Sequence, residues 1–232
     1  MPISFDKVPA GLVSLAKTAA VSLEKQGLAE ERAAVYLVLD RSGSMRRYYK
    51  DGSMQHLAEQ ALALSVNLDD DGVVPVVFFD SRAHSPVDIG LDDYHGRIEK
   101  LHEALGHMGT TNYAAAMDAV VDHYLASGSK DPAFVIFQTD GSPDSRRAAE
   151  KTLCKAAGLP IFWQFIGYGD DEFRFLRKLD ELAVPKKRAV DNAGFFAAGK
   201  DPRLIPDGVL YGQLMGEFPE WLAAARAAGI VD

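Results

Sequence analysis

The sequence predicts an α/β fold: a doubly wound, mostly parallel sheet with one antiparallel edge strand and helices on both faces. Three observations predict it. Apolar, largely β-branched or aromatic runs at 35–40, 73–79, 133–139 and 160–167 have the length of buried strands. Helical stretches separate most of them, the pattern of a parallel sheet with right-handed crossovers. The link from Phe79 to Ala83 is too short for a crossover. A strand within 83–89, with polar alternation, is therefore expected to turn back as an antiparallel edge.

Each element follows from local pattern. Residues 11–25 carry apolar side chains at 12, 13, 15, 19, 20, 21 and 23, a spacing partly helical and partly strand-like. The run 35–40 is the first clear strand. Residues 53–68 read as a helix with Ser53 as its N-cap, stopped by the acidic run 69–71 and Gly72. The strand 73–79 and the edge strand come next, then helices at 94–105 and 112–124. The strand 133–139 ends in Asp140 and Gly141. A helix at 146–157, a strand at 160–167, a short helix at 172–182 and a last strand at 188–190 complete the sheet region. Residues 207–228 read as a final helix, interrupted near Gly216 and Pro219. The whole is expected to be one domain, 1–232, with an N-terminal extension at 1–32 and a C-terminal helical extension at 191–232.

Composition narrows the function classes. A net charge of −8 argues against a general nucleic-acid binder, which needs a basic face. The single cysteine, Cys154, excludes an intramolecular disulfide and fits a reducing compartment. No apolar run approaches 18 residues, and no basic-then-apolar leader opens the chain, so a cytoplasmic protein without a membrane span is expected.

The chemistry concentrates at strand ends. The run 35–40 stops abruptly at Asp40, followed by Ser42 and Ser44, with Gly43 between them as a residue suited to a tight turn. One carboxylate and two hydroxyls from one turn make half a site for a hard cation, which prefers oxygen ligands. Taken alone, an Asp-x-Ser-x-Ser string also makes an ordinary capped turn. Asp140 lies at the end of another strand, and ligands of open α/β sheets bind beyond such ends, at the point where strand order reverses. Between them, Gly106 to Asn112 form a loop with Thr110 and Thr111 that leads into a helix.

The set Asp40-x-Ser42-x-Ser44, Thr111 and Asp140 resembles the metal-ion-dependent adhesion site of von Willebrand factor A (vWA) domains, over a framework from about 33 to 190. The flanks narrow the resemblance. VSLAK at 13–17, VSLEKQG at 21–27, FIGYGDDEFRFL at 165–176, DNAGFF at 191–196 and LYGQLMGEFPEWL at 210–222 are similar to bacterial tellurium-resistance proteins of the vWA type (TerF/TerY-like). The resemblance implies that Ser42 and Ser44 ligate directly, that Asp40 and Asp140 ligate directly or through water, and that Thr111 moves between the two. The family's threonine stands two residues after a glycine, which Gly109 assigns to Thr111, with Thr110 a neighbour and Asn112 starting the helix. The resemblance further implies a divalent cation, magnesium ahead of manganese or calcium. It implies a protein partner that supplies an acidic residue to the ion, for instance another tellurium-resistance protein.

A metal-dependent phosphatase or hydrolase would use the same carboxylates, but the second aspartate of a haloacid-dehalogenase-type site is replaced by Ser42. No Gly-x-Ser-x-Gly elbow is present. Gly194 to Lys200 spell most of a phosphate-binding loop, yet Asp201 stands where a hydroxyl should hold magnesium. Direct sequestration of tellurite is poorly served by one cysteine and six methionines. The six histidines show no zinc spacing; His107 alone lies in the threonine loop. Residues 46–50 read either as a solvated loop or as a rim for an acidic, aromatic-accepting partner. Phe195, Phe196, Phe218 and Trp221 read as packing that docks the C-terminal helix on the sheet.

Overall fold

The computed structural model describes residues 2–184 and 186–232. Six strands form one sheet: β1 (Ala34–Asp40), β2 (Val73–Phe79), β3 (Val87–Gly90), β4 (Ala133–Thr139), β5 (Ile161–Tyr168) and β6 (Ala193–Gly199). Their spatial order is β3-β2-β1-β4-β5-β6, parallel throughout except for the antiparallel β2–β3 pair. The chain winds outward from β1 to β3, returns to β4 on the other side of β1, and winds outward again. Strand order therefore reverses between β1 and β4, which opens a crevice beyond their C-terminal ends.

Nine helices complete the described fold: α1 (Ala10–Lys25), α2 (Arg46–Lys50), α3 (Ser53–Leu68), α4 (Arg97–Ala104), α5 (Tyr113–Ser127), α6 (Arg146–Ala156), α7 (Arg174–Asp180), α8 (Asp207–Leu214) and α9 (Phe218–Ala227). Alternation along β1 feeds two cores. Val35, Leu37 and Leu39 pack with buried residues of α1, α3, α8 and α9, whereas Tyr36 and Val38 pack with those of α5, α6 and α7. Among the described residues no helix is long and apolar enough to cross a membrane.

Four expectations change on contact with the tertiary structure. The ambiguous segment 11–25 is one continuous helix. Its buried residues Leu12, Leu15, Ala16, Ala19 and Leu23 keep helical spacing against α3 and α8, while Val21, which made the pattern look strand-like, is exposed. Ser53 is not the N-cap of α3 but its first residue; the preceding Gly52 takes the left-handed conformation, and the Asp51 carboxylate accepts from the Ser53 backbone N–H at 2.9 Å. The 94–105 helix is shorter than expected and starts only after Gly96, at φ +60°.

The fourth concerns the last strand, which lies at 193–199 and not at 188–190. The Arg188 guanidinium is buried there and donates to the Leu182 carbonyl at 3.0 Å. The run Ala193–Gly199 is rich in alanine and glycine, poor strand formers, and becomes a strand because β5 supplies a parallel partner. The same finding disposes of the phosphate-loop-like string: Gly194 to Gly199 are strand, and Lys200 is paired with Asp170 at 2.6 Å. β6 thus opens the segment 191–232, ahead of its helices. The C-terminal aromatics pack as expected: Phe218 stacks on Trp221 with centroids 5.4 Å apart, and both rest on Phe162 of β5.

Candidate metal centre

Parallel pairing sets Leu39 of β1 beside Gln138 of β4, so Asp40 and Asp140 emerge from adjacent strand ends into the crevice. After Asp40 the chain is extended at Ser42 (φ −62°, ψ 160°) and then turns through a short 3-10 helix, Gly43–Met45. The Ser42 backbone N–H donates to Asp40 Oδ1 at 2.7 Å, folding the carboxylate back over its own loop. The hydroxyls of Ser42 and Ser44 lie 3.2 Å apart, and Ser44 Oγ donates to Asp140 Oδ1 at 3.0 Å. Gly43 has no special backbone demand here: a Cβ would meet open space and its φ is not left-handed.

The threonine loop closes the third side. Gly43 N–H donates to the Gly109 carbonyl at 3.1 Å, and Ser42 bridges to Gly109 in parallel fashion. The two adjacent threonines are divided by their partners. Thr110 Oγ1 donates to Asp144 Oδ2 at 2.6 Å and accepts from the Ser81 hydroxyl at 3.0 Å. Thr111 is tied by its backbone alone, its N–H to Asp144 Oδ2 and its carbonyl to the Asp144 N–H at 2.8 Å. Asn112 caps α5 by accepting from Ala115 N–H. Gly109 is indispensable to this packing, since a Cβ there would lie 2.5 Å from Ser81 Oγ and 3.0 Å from the Ser81 backbone nitrogen.

Several residues that shape the site escaped the sequence reading. Arg41, inside the Asp-x-Ser-x-Ser turn, is wholly buried. It donates to Asp80 Oδ2 at 2.7 Å and to the carbonyls of Gly106 at 2.8 Å and His107 at 3.1 Å. Asp80 also meets His84 Nε2 at 3.1 Å, and its carbonyl accepts from the Asn112 N–H. Thr139 Oγ1 donates to Asp40 Oδ2 at 2.6 Å and itself accepts from the Tyr113 hydroxyl. The available signal was that Asp80 and Ser81 follow a strand end just as Asp40 and Asp140 do. His107 contributes its carbonyl to Arg41. Its ring lines a neighbouring cavity with Arg46 and Tyr49 rather than any contact with the serines. Of residues 46–50, Tyr48 and Tyr49 are buried and only the basic residues are exposed, so no aromatic rim exists.

Electrostatics set the fit for an ion. Burial raises the Asp40 carboxyl to about 7, against hydrogen bonds from Thr139 and Ser42 N–H that lower it and the Asp140 charge that raises it. Burial also raises Asp140, offset in part by Ser44. Among the described residues no Lys, Arg or His pairs with either carboxylate, and no three acidic, histidine or cysteine side chains converge on one point. The oxygen set is thus two unpaired carboxylates with hydroxyls, which suits a hard divalent cation that retains waters. Asp40, Ser42, Ser44, Thr111 and Asp140 would hold it, supplying hydroxyl and carboxylate oxygens only.

This architecture, a β3-β2-β1-β4-β5-β6 sheet with its loops gathered at the switch point, is the vWA fold. Solved vWA structures share it at low identity. A von Willebrand factor type A protein from Catenulispora acidiphila superposes with a TM-score of 0.54 at 15% identity, covering 86% of this chain and 43% of the other. A manganese-loaded TRAP protein from Plasmodium vivax gives 0.52 at 20% identity, covering 87% and 74%. Proximal thread matrix protein 1 of the mussel byssus, with a zinc-occupied metal-ion-dependent adhesion motif, gives 0.50 at 15% identity, covering 85% and 48%. The first and third of these chains are more than twice as long as the part this chain matches. Residues 32–231 match the model of vWA-TerF-like domains, the vWA found in the TerF C terminus, and the chain belongs to that family. A full-length relative, the uncharacterized protein YcbR of Bacillus subtilis, is 34% identical over 219 residues, covering 93% of this chain and 88% of its own.

Proposed function

We propose that this chain is a metal-dependent protein-interaction module of a tellurium-resistance or stress-response system. In this reading Asp40, Ser42, Ser44, Thr111 and Asp140 hold one divalent cation, magnesium ahead of manganese or calcium, and an acidic residue of a partner completes its coordination. The observation that carries the reading is the contact between the two strand-end loops, with Ser44 Oγ donating to Asp140 at 3.0 Å while neither carboxylate meets a cation among the described residues. Manganese and zinc in two fold relatives support a divalent ion in a site of this kind. With only two carboxylates the ion stays near neutral, so an incoming carboxylate is still attracted.

The bound ion would supply a Lewis-acidic position for that carboxylate. The chain's own part is to orient it. Ser42 N–H holds Asp40 Oδ1, Thr139 holds Asp40 Oδ2, and Asp144 fixes the Thr111 backbone. Isothermal titration with magnesium, manganese and calcium tests the reading. Wild type should take up one equivalent, and Asp40→Ala and Asp140→Ala should take up none. Unchanged uptake in either variant rejects the assignment. Magnesium-dependent phosphatase turnover that disappears in Asp40→Ala would instead favour the hydrolase.

A further inference from the structure

A second surface lies away from the strand-end crevice, on the free edge of the sheet. β6 ends the strand order, and its inner side is used up by β5. Trp163 N–H donates to the Asn192 carbonyl at 2.9 Å, which sets the phase of this parallel ladder. Residues 192, 194 and 196 then turn their backbone groups toward β5, and Phe195 and Ala197 turn theirs outward. Among the described residues no backbone group bonds those outward groups. Ala197 is exposed and Phe195 only half-buried, so nothing covers this stretch of edge.

The ground on the α7 side of that edge is basic in an acidic protein, whereas Asp180, Asp191 and Glu217 gather at the start of β6, with Asp180 hydrogen-bonded to Glu217. Residues 146–188 hold ten Lys and Arg against six Asp and Glu, a net +4, within a chain of net −8. A cavity of about 470 Å³ opens there, lined by Arg174, Arg177, Lys178 and Lys187 together with Glu181 and Leu182. Arg177 lies over the Phe195 ring, 5.1 Å from its centroid, which joins the basic ground directly to β6. Lys178 and Lys187 share Glu150, and Arg174 pairs with Glu172, but Arg177 has no carboxylate partner among the described residues.

We propose that the outer edge of β6 docks an extended acidic segment of a partner protein, added as a seventh strand beside Arg177. Main-chain bonds to Phe195 and Ala197 supply the register, and the alternation of a strand puts every second side chain of the segment on the α7 side. Phe195 faces that side with the second core, while Phe196 faces the other core. The segment should therefore alternate acidic residues, over Arg177 and its neighbours, with apolar ones. Pairing with β6 of a second copy is disfavoured, because it would bring two basic faces together.

The test uses a synthetic heptapeptide alternating glutamate and valine and a block isomer of the same composition, each titrated into the whole chain by fluorescence anisotropy. The alternating peptide should bind at least about tenfold tighter than the block isomer. Its binding should weaken with salt and drop at least about tenfold in Ala197→Pro, which deletes an outward N–H and no ladder donor to β5. Arg177→Glu, a surface charge reversal, should weaken it similarly, with circular dichroism confirming the fold of both variants. Equal binding of the two peptides, or full binding by Ala197→Pro or by Arg177→Glu, overturns the proposal. So does light scattering that shows a dimer dissociated by Ala197→Pro, since a second copy would then occupy the edge.

Discussion

Replacing Arg41 by methionine should destabilise the protein by about 3–5 kcal/mol, the usual cost of leaving one partner of a buried ion pair alone. The value follows from what Arg41 does. Its guanidinium is wholly buried, meets Asp80 at 2.7 Å and ties down the carbonyls of Gly106 and His107. Methionine keeps the stem's volume but leaves the Asp80 charge to His84 and the Arg82 N–H, and two carbonyls without their donor. Burial pushes the Asp80 carboxyl up, yet the bonds from His84, the Arg82 N–H and Arg41 outweigh it and hold it below its ordinary value. Without Arg41 part of that balance is lost. At about 2.1 cal/mol/K per residue, a 232-residue chain unfolds with roughly 0.5 kcal/mol/K, so the melting temperature should fall by about 6–10 °C. Thermal unfolding followed by circular dichroism at neutral pH, without added metal, reads this directly. Adding Asp80→Asn to Arg41→Met should restore part of the loss, because the charge left without Arg41 is gone. A fall under about 2 °C, or a double variant no better than the sum of the singles, would refute the ion-pair argument.

Further outcomes follow from the same geometry. Gly109→Ala should cost about 1–3 kcal/mol and weaken cation uptake, because its Cβ collides with Ser81, whereas Gly43→Ala should stay within about 0.5 kcal/mol; equal effects in denaturant titrations would contradict the packing. His102 should cost stability as pH drops from about 6.5 toward 4, since burial and the Arg41 charge push it down to about 4 while the unfolded chain still binds the proton there; the raised Asp40 and Glu217 carboxyls gain stability over the same window, so the His102 share is read as the difference from a variant without it. After discounting for partial exposure the loss is roughly 1–2 kcal/mol, and a His102→Phe variant, stacked on Tyr49 like the histidine, should lose less over that window in urea midpoints. Trp221→Ala should cost about 3–5 kcal/mol and loosen α9, visible as faster amide exchange at 218–227; unchanged exchange would mean that Phe218 alone docks the helix.

Much of this protein is written locally in its sequence. Strand lengths, the helices between them and the antiparallel turn after Phe79 follow from periodicity and turn chemistry, which neighbours along the chain settle. The abrupt change from Leu39 to Asp40 likewise marks a strand end carrying oxygen side chains. What the chain cannot encode locally is which loops meet. Asp40 and Asp140 come together because β1 and β4 pair across the point where strand order reverses, a long-range choice made by crossover handedness and core burial. The division of labour between Thr110 and Thr111 depends on Ser81 and Asp144, which are distant in sequence. Arg41, which stands between Asp40 and Ser42 in the sequence, is a buried clamp, because only the folded loops supply Asp80 and the carbonyls around it. β6 is the reverse case: five of its seven residues are alanine or glycine, poor strand formers, and the tertiary partner β5 decides its conformation.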